Sequence, residues 1–206
     1  MAENNDQKKT GARFGAGTVT LADRLVEELS GPNRRMRQEA SHTLAEMCKE
    51  RPADVEAKAD VVIPALVDAL FRPEAQTRWE ALDALNELAA THADQVVEAY
   101  EGAEASLFDE ASSRVRINAF RLLARLGSTS AELSDRVWPL LDEAIQCYHG
   151  DMGYRDMLAS LMELARGAAS QATKDALVDR ISFDAESGRG YVKTCSAEII
   201  KAAKGE

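Results

Sequence analysis

An all-α superhelix of about five stacked helix pairs is the fold this sequence predicts. Three observations point to it. Apolar residues recur at helical spacing from Val19 onward, interrupted about every 15 to 20 residues. Ala, Leu, Glu and Arg dominate, and 12 glycines and 5 prolines leave few helix breakers. The third observation is a register. MRQEASHTLAEM, TRWEALDALNEL, VRINAFRLLARL, YRDMLASLMELA and VKTCSAEIIKAA align without a gap, their basic residue falling at Arg37, Arg78, Arg116, Arg155 and Lys193. The intervals are 41, 38, 39 and 38 residues.

The alignment carries further columns. A small residue follows the basic one at Ala40, Ala81 and Ala119, replaced by Leu158 and Ser196 in the last two segments. A large apolar column stands at Leu44, Leu85, Leu123, Met162 and Ile200. Each segment reads as the second helix of a pair, with first helices over Leu21–Ser30, Asp54–Phe71, Ala93–Asp109, Ser134–Cys147 and Ser170–Phe183. Asn33, Glu74, Ser112 and Asp151 precede the first four basic residues by four positions. Asn, Ser and Asp there are good N-caps, accepting orphan N–H groups of the helix that follows. Arg189 occupies that place in the fifth pair. The approximate repeats are 19–51, 52–92, 93–128, 129–167 and 168–206, after an N-terminal arm over 1–18 that is expected to be disordered. Its Gly11, Gly15 and Gly17 interrupt any helix, and Lys8, Lys9 and Arg13 outweigh Glu3 and Asp6.

PALVDALFRPEAQTRWEALDALNELA, from Pro64 to Ala89, combines a first helix with Pro then leucines, a short polar turn and Arg-x-x-Ala-x-x-x-Leu. VWPLLDEAIQCYHGDMGYRDMLASLMEL repeats the arrangement, Pro139 matching Pro64. This resembles the HEAT repeats of the armadillo-like α-solenoids over residues 19–206, a period of 38 to 41 falling at the short edge of that class. The resemblance implies a non-enzymatic scaffold or adaptor and a proline at a kink of the first helix. It also admits a second expectation, a DNA-binding member such as the alkylpurine DNA glycosylases, whose basic groove uses Trp and Asp. One helix pair cannot bury its apolar face alone, so neighbours must stack and the core runs through the array.

The 206 residues are 45% hydrophobic with a formal net charge of −10, a globular composition that repels phosphate over most of its surface. Nucleic acid and anionic membrane are therefore not expected as partners. The three cysteines lack CxxC spacing and read as reduced thiols, no apolar run reaches the length of a membrane span, and a cytoplasmic location is expected. Catalytic and cofactor signals are poor. His42, His92 and His149 occupy different places in their repeats. Cys147, His149 and Asp151 have the right types for a metal but no second ligand pair, and Gly188 with Gly190 has no strand before it to support phosphate binding. No catalytic residue, metal or cofactor is assigned.

The outward face of the second helices carries the binding expectation. One column reads Gln38, Trp79, Ile117, Asp156 and Thr194, and the column one turn on reads His42, Asp83, Arg121, Ser160 and Glu198. Trp79 and Ile117 interrupt an otherwise polar surface. They are expected either to seal the stack or to anchor a protein partner, with Asp83 and Arg121 as a polar rim and Glu80 and Met157 flanking it. Asp83 with Arg121, and Glu87 with Arg125, share columns in adjacent repeats and are expected to pair across the seam. Arg78 is expected to bond turn carbonyls or Glu74.

Overall fold

Residues 19–206 are described by the computed structural model; the predicted arm, 1–18, lies outside the described residues. The chain forms α1 (Leu21–Ser30), α2 (Arg34–Glu50), α3 (Pro52–Glu56), α4 (Ala59–Ala69), α5 (Ala75–Leu88) and α6 (Ala93–Val96). A 3-10 turn (Val97–Ala99) follows, then α7 (Tyr100–Leu107), α8 (Ser113–Gly127), α9 (Ala131–Tyr148), α10 (Tyr154–Arg166), α11 (Gln171–Ser187) and α12 (Gly190–Lys204). There is no strand among the described residues. The second helices α2, α5, α8, α10 and α12 pack in unbroken succession, each on the next. The outer layer packs α1 on α4, α4 on the 3-10 turn and α9 on α11. The chain is an all-α solenoid of stacked helix pairs.

Two first helices differ from the expected continuous spans. The second pair's breaks at Ala57 and Lys58, between α3 and α4, and the third pair's breaks at the 3-10 turn between α6 and α7. Val55, Ala59, Val62 and Ile63 are all buried at spacings a single helix would also satisfy, so periodicity cannot show the break. Lys58 leaves the helical conformation at φ −128°, and its Nζ ties to Asp23 Oδ1 of α1 at 3.0 Å. Helices α4 and α9 run through Pro64 and Pro139. Both prolines are exposed, and the carbonyls that lose their donor belong to Asp60 and Asp135, also exposed.

Caps begin several of the helices. Thr20 and Asp23 form a reciprocal box at α1, Thr20 Oγ1 accepting from Asp23 N at 3.2 Å and Asp23 Oδ2 accepting from Thr20 N at 2.8 Å. Asn33 Oδ1 accepts from Arg35 and Met36, and Ser112, Ser130 and Ser170 cap α8, α9 and α11. Glu74 and Asp151 do not cap: Glu74 turns its carboxylate to Arg37, and Gly153 stands before α10 instead.

Two glycines set how closely repeats three and four approach. A Cβ on Gly127 would lie 2.5 Å from Val137 Cγ2 of α9 and 3.1 Å from Leu164 of α10. One on Gly167 would lie 2.3 Å from the carbonyl oxygen of Ser128, which itself accepts from Ala168 N at 2.7 Å. The core is one continuous cluster, its most deeply buried large side chains including Phe120, Leu122, Leu123 and Leu126 of α8 and Leu82 and Leu85 of α5.

Candidate functional site

The register's basic column forms a ladder along one edge. Arg37 donates to Gly31 O at 2.9 Å and pairs with Glu74 of the next repeat. Arg78 donates to Arg72 O at 3.0 Å and Pro73 O at 3.1 Å and pairs with Asp109 of the next repeat. Its turn-carbonyl bonds match the expectation, whereas its acid is Asp109 and not Glu74. Arg116 donates to Asp109 O at 2.7 Å and lays its guanidinium 4.8 Å from the Tyr148 ring centroid; Arg155 lies 4.4 Å from that of Tyr191. Lys193 ends the series on Glu186 O at 2.8 Å. Each seam from the first to the fourth is thus gripped by one column, with a carboxylate twice and an aromatic ring twice.

The second-helix face holds three adjoining clefts, and Ile117 borders all of them. The first, about 380 Å³, is lined by Lys49, Trp79, Asp83, Arg114, Ile117, Asn118 and Asp156. The second, about 340 Å³, lies between α8 and the α9–α10 turn, where Arg116, Tyr148, Asp151, Met152 and Gly153 face Ile117. The third, about 460 Å³, runs on past Arg121, Arg125, Ala159, Ser160 and Glu163. Trp79, Asp83 and Ile117 therefore meet in one cleft, and Arg121 stands in the next.

Trp79 and Ile117 are half-buried and pack on the core. Ile117 lies over Gly153, where a Cβ would meet its Cδ1 at 2.7 Å, and Arg114 covers the Trp79 ring at 4.6 Å from the centroid. Neither Glu80 nor Met157 is an exposed flank of the rim: Glu80 is 1% exposed, and Met157, 2% exposed, lines only the floor of the second cleft beside Ile117. One residue further along the helix rotates a side chain by about 100°, which turns both into the seams. Glu80 accepts from Ser41 Oγ at 2.7 Å and contacts His42 Nδ1 and Gln76 Nε2, each at 3.2 Å.

The charge ladder differs in one rung from the expected one. Arg121 Nη1 lies 3.7 Å from Asp83 Oδ1, an ion pair without a hydrogen bond, and Arg121 donates to Glu87 at 3.2 Å. Arg125 does not take Glu87; it pairs with Glu163 at 2.8 Å and donates to Asn86 O. The guanidinium on α8 reaches one turn along α5, so the columns pair with a stagger. Lys49 Nζ, at 2.5 Å from Asp83 Oδ2, extends the ladder into the first repeat and is held above the ordinary lysine range by that carboxylate. Asn118 Nδ2 donates to Trp79 O at 3.0 Å, and Asn86 Nδ2 to Asn118 O at 3.1 Å, fixing α5 to α8 beneath the cleft. Asn118 was not among the sequence candidates; its one signal is a polar side chain in the column of Glu80 and Met157.

Charge divides between the layers. The first-layer helices carry four Lys and Arg against nineteen Asp and Glu, the second-layer helices fourteen against nine. The acidic excess therefore lies on the outer layer, away from the clefts.

His149, in the turn the sequence offered as a metal candidate, contacts Asp184 Oδ1 of α11 at 2.9 Å, and the Tyr154 hydroxyl donates to Asp184 Oδ2 at 2.5 Å. Burial and that carboxylate push the Tyr154 phenol well above its ordinary range, so it stays a donor. Among the described residues no group of three or more His, Cys, Asp and Glu could hold a metal ion, and no helix is long and apolar enough to cross a membrane.

No protein-family model and no curated protein sequence matches the chain. Solved structures do. A designed armadillo repeat protein in complex with the peptide (KR)4 superposes with a TM-score of 0.74 at 16% identity, over 89% of this chain and 81% of that one. A computationally designed armadillo repeat protein for modular peptide recognition gives 0.69 at 16% identity, over 88% and 81%. An engineered protein gives 0.71 at 18% identity, over 89% of this chain and 47% of its own. At these identities the likeness is one of fold.

Proposed function

We propose that this solenoid is a non-catalytic scaffold that holds an extended segment of a protein partner along its second-helix face, across the clefts around Trp79 and Ile117. The observation that carries the reading is the meeting of three clefts at one half-buried isoleucine on a rigid ladder of helices. An apolar ridge with recesses on either side suits alternate side chains of an extended chain, and a preformed surface loses little entropy on binding. The similar designed proteins, of which one is in complex with a peptide, support the scaffold's aptness for such a ligand. A cytoplasmic location is part of this proposal. The arginines of α8 do not favour the nucleic-acid reading: Arg116, Arg121 and Arg125 are taken by Asp109 O and Tyr148, by Asp83 and Glu87, and by Glu163 and Asn86 O. Of the four arginines of α8, Arg114 alone has neither carboxylate nor carbonyl partner among the described residues, and it lies over the Trp79 ring.

The test is a pair of aspartate substitutions, Trp79→Asp and Ile117→Asp. A binding role predicts variants that melt within a few degrees of the parent and lose the co-purifying protein. Side chains that only seal the stack would each cost about 3 kcal/mol and melt far lower. A folded double variant that keeps its partner contradicts the proposal.

A further inference from the structure

We infer, resting on the reading just given, that the segment held across Ile117 is an extended peptide of low net charge, anchored by apolar side chains on both sides of that ridge. The argument is one of charge complementarity. Four of the five cations lining the three clefts have polar or aromatic partners that fix them within the fold: Lys49 on Asp83, Arg121 on Asp83 and Glu87, Arg125 on Glu163, and Arg116 on Tyr148 and Asp109 O. The fifth, Arg114, lies over the Trp79 ring, and it shares the first cleft with Asp156, a charge of opposite sign. In the second cleft Arg116 and Asp151 likewise carry opposite charges. Apart from Asp151 and Asp156, a run of lysines or arginines laid here would meet carboxylates already engaged, and apart from Arg114 a run of acids would meet engaged guanidinia. Either would have to break pairs to form its own, with little net gain in exposed ion pairs.

Beside these near-balanced charges the clefts present apolar surface. Trp79 stands on one side of Ile117, and Tyr148 and the 98% exposed side chain of Met152 stand on the other. A polarizable thioether beside an aromatic ring adapts to varied apolar side chains. The self-paired charges then act as a fence that disfavours strongly charged segments, while the outer layer, with its nineteen acids, keeps basic segments elsewhere.

The experiment is selection of random peptides of about 12 residues on the full chain, at roughly 50 and 500 mM salt, a range over which exposed charge attraction is strongly screened. Ile117→Asp and Met152→Asp are the controls, the second being at a wholly exposed side chain where folding is unaffected. The expected result is enrichment of apolar peptides with a net charge of about one or less, capture changing less than about two-fold with salt, and at least a ten-fold loss with either variant. Enriched peptides that are strongly basic or acidic, salt-sensitive and lost with the variants would overturn the inference while leaving the peptide-binding reading in place. Enrichment indifferent to both variants, or none at all, would overturn both.

Discussion

Arg78 and Asp109 join three parts of the solenoid at one point. The guanidinium on α5 binds its own turn through Arg72 O and Pro73 O and crosses the seam to the Asp109 carboxylate. Asp109 in turn accepts from Ala111 N at 3.0 Å and Ser112 N at 2.8 Å, shaping the turn that starts α8, while its carbonyl takes Arg116. Both side chains are 16% exposed. Replacing Arg78 by alanine leaves a largely buried carboxylate without its cation, and a cost of roughly 2–4 kcal/mol is expected. Thermal unfolding should show a melting temperature lower by about 5–10 °C, with Arg78→Lys in between.

The first seam should show its ion pair in acid. The Arg37 guanidinium holds the Glu74 carboxyl below the ordinary carboxylate range. A carboxylate lowered in the folded state contributes stability that is fully present above its unfolded value, about 4.3, and lost as pH falls through the lower folded value. Urea unfolding followed from about pH 6 down to 3 should show Glu74→Gln less stable than the parent near neutrality, with the gap closing toward acid. A gap independent of pH would contradict the assignment.

Close packing between repeats three and four predicts that Gly127→Ala and Gly167→Ala both destabilise. Gly127→Ala meets side-chain methyls that can shift, so about 1–2 kcal/mol is expected. Gly167→Ala meets the backbone carbonyl of Ser128, which is tied to Ala168 N, and should cost more. Denaturant midpoints order the two.

The thiols should differ in reactivity. Burial pushes the Cys48 thiol up to about 12, with Glu87 and Asp83 adding to it, so it stays protonated and shielded at neutral pH. Cys195 is buried and Cys147 exposed. A thiol reagent should label one cysteine, Cys147, quickly in the native protein and the other two only on unfolding.

Much of the architecture is legible in the sequence because a repeat is read by self-comparison. Arg37, Arg78 and Arg116 announce the period, and they turn out to grip the seams that the period creates. The breaks at Lys58 and at Val97–Ala99 are not legible, because the buried residues on either side keep helical spacing and no glycine or proline lies at either break. At the site, Trp79 and Ile117 could be placed on one face by counting along a helix. Counting could not tell that Glu80 and Met157, one position further, turn into seams, since that depends on how far each helix rolls against its neighbour. The same roll staggers Arg121 to Glu87, one turn along, and lets Arg125 reach Glu163 of the following repeat in place of Glu87.

The most direct test of the peptide-holding face is amide hydrogen exchange of the full chain, free and with its captured partner. The account predicts slowed exchange concentrated in 75–88, 113–127 and 154–166, the helices around Trp79 and Ile117, and in the turn from Tyr148 to Gly153, with 93–107 and 131–144 unchanged. Slowing confined to those two outer segments, with the second helices unaltered, would contradict it.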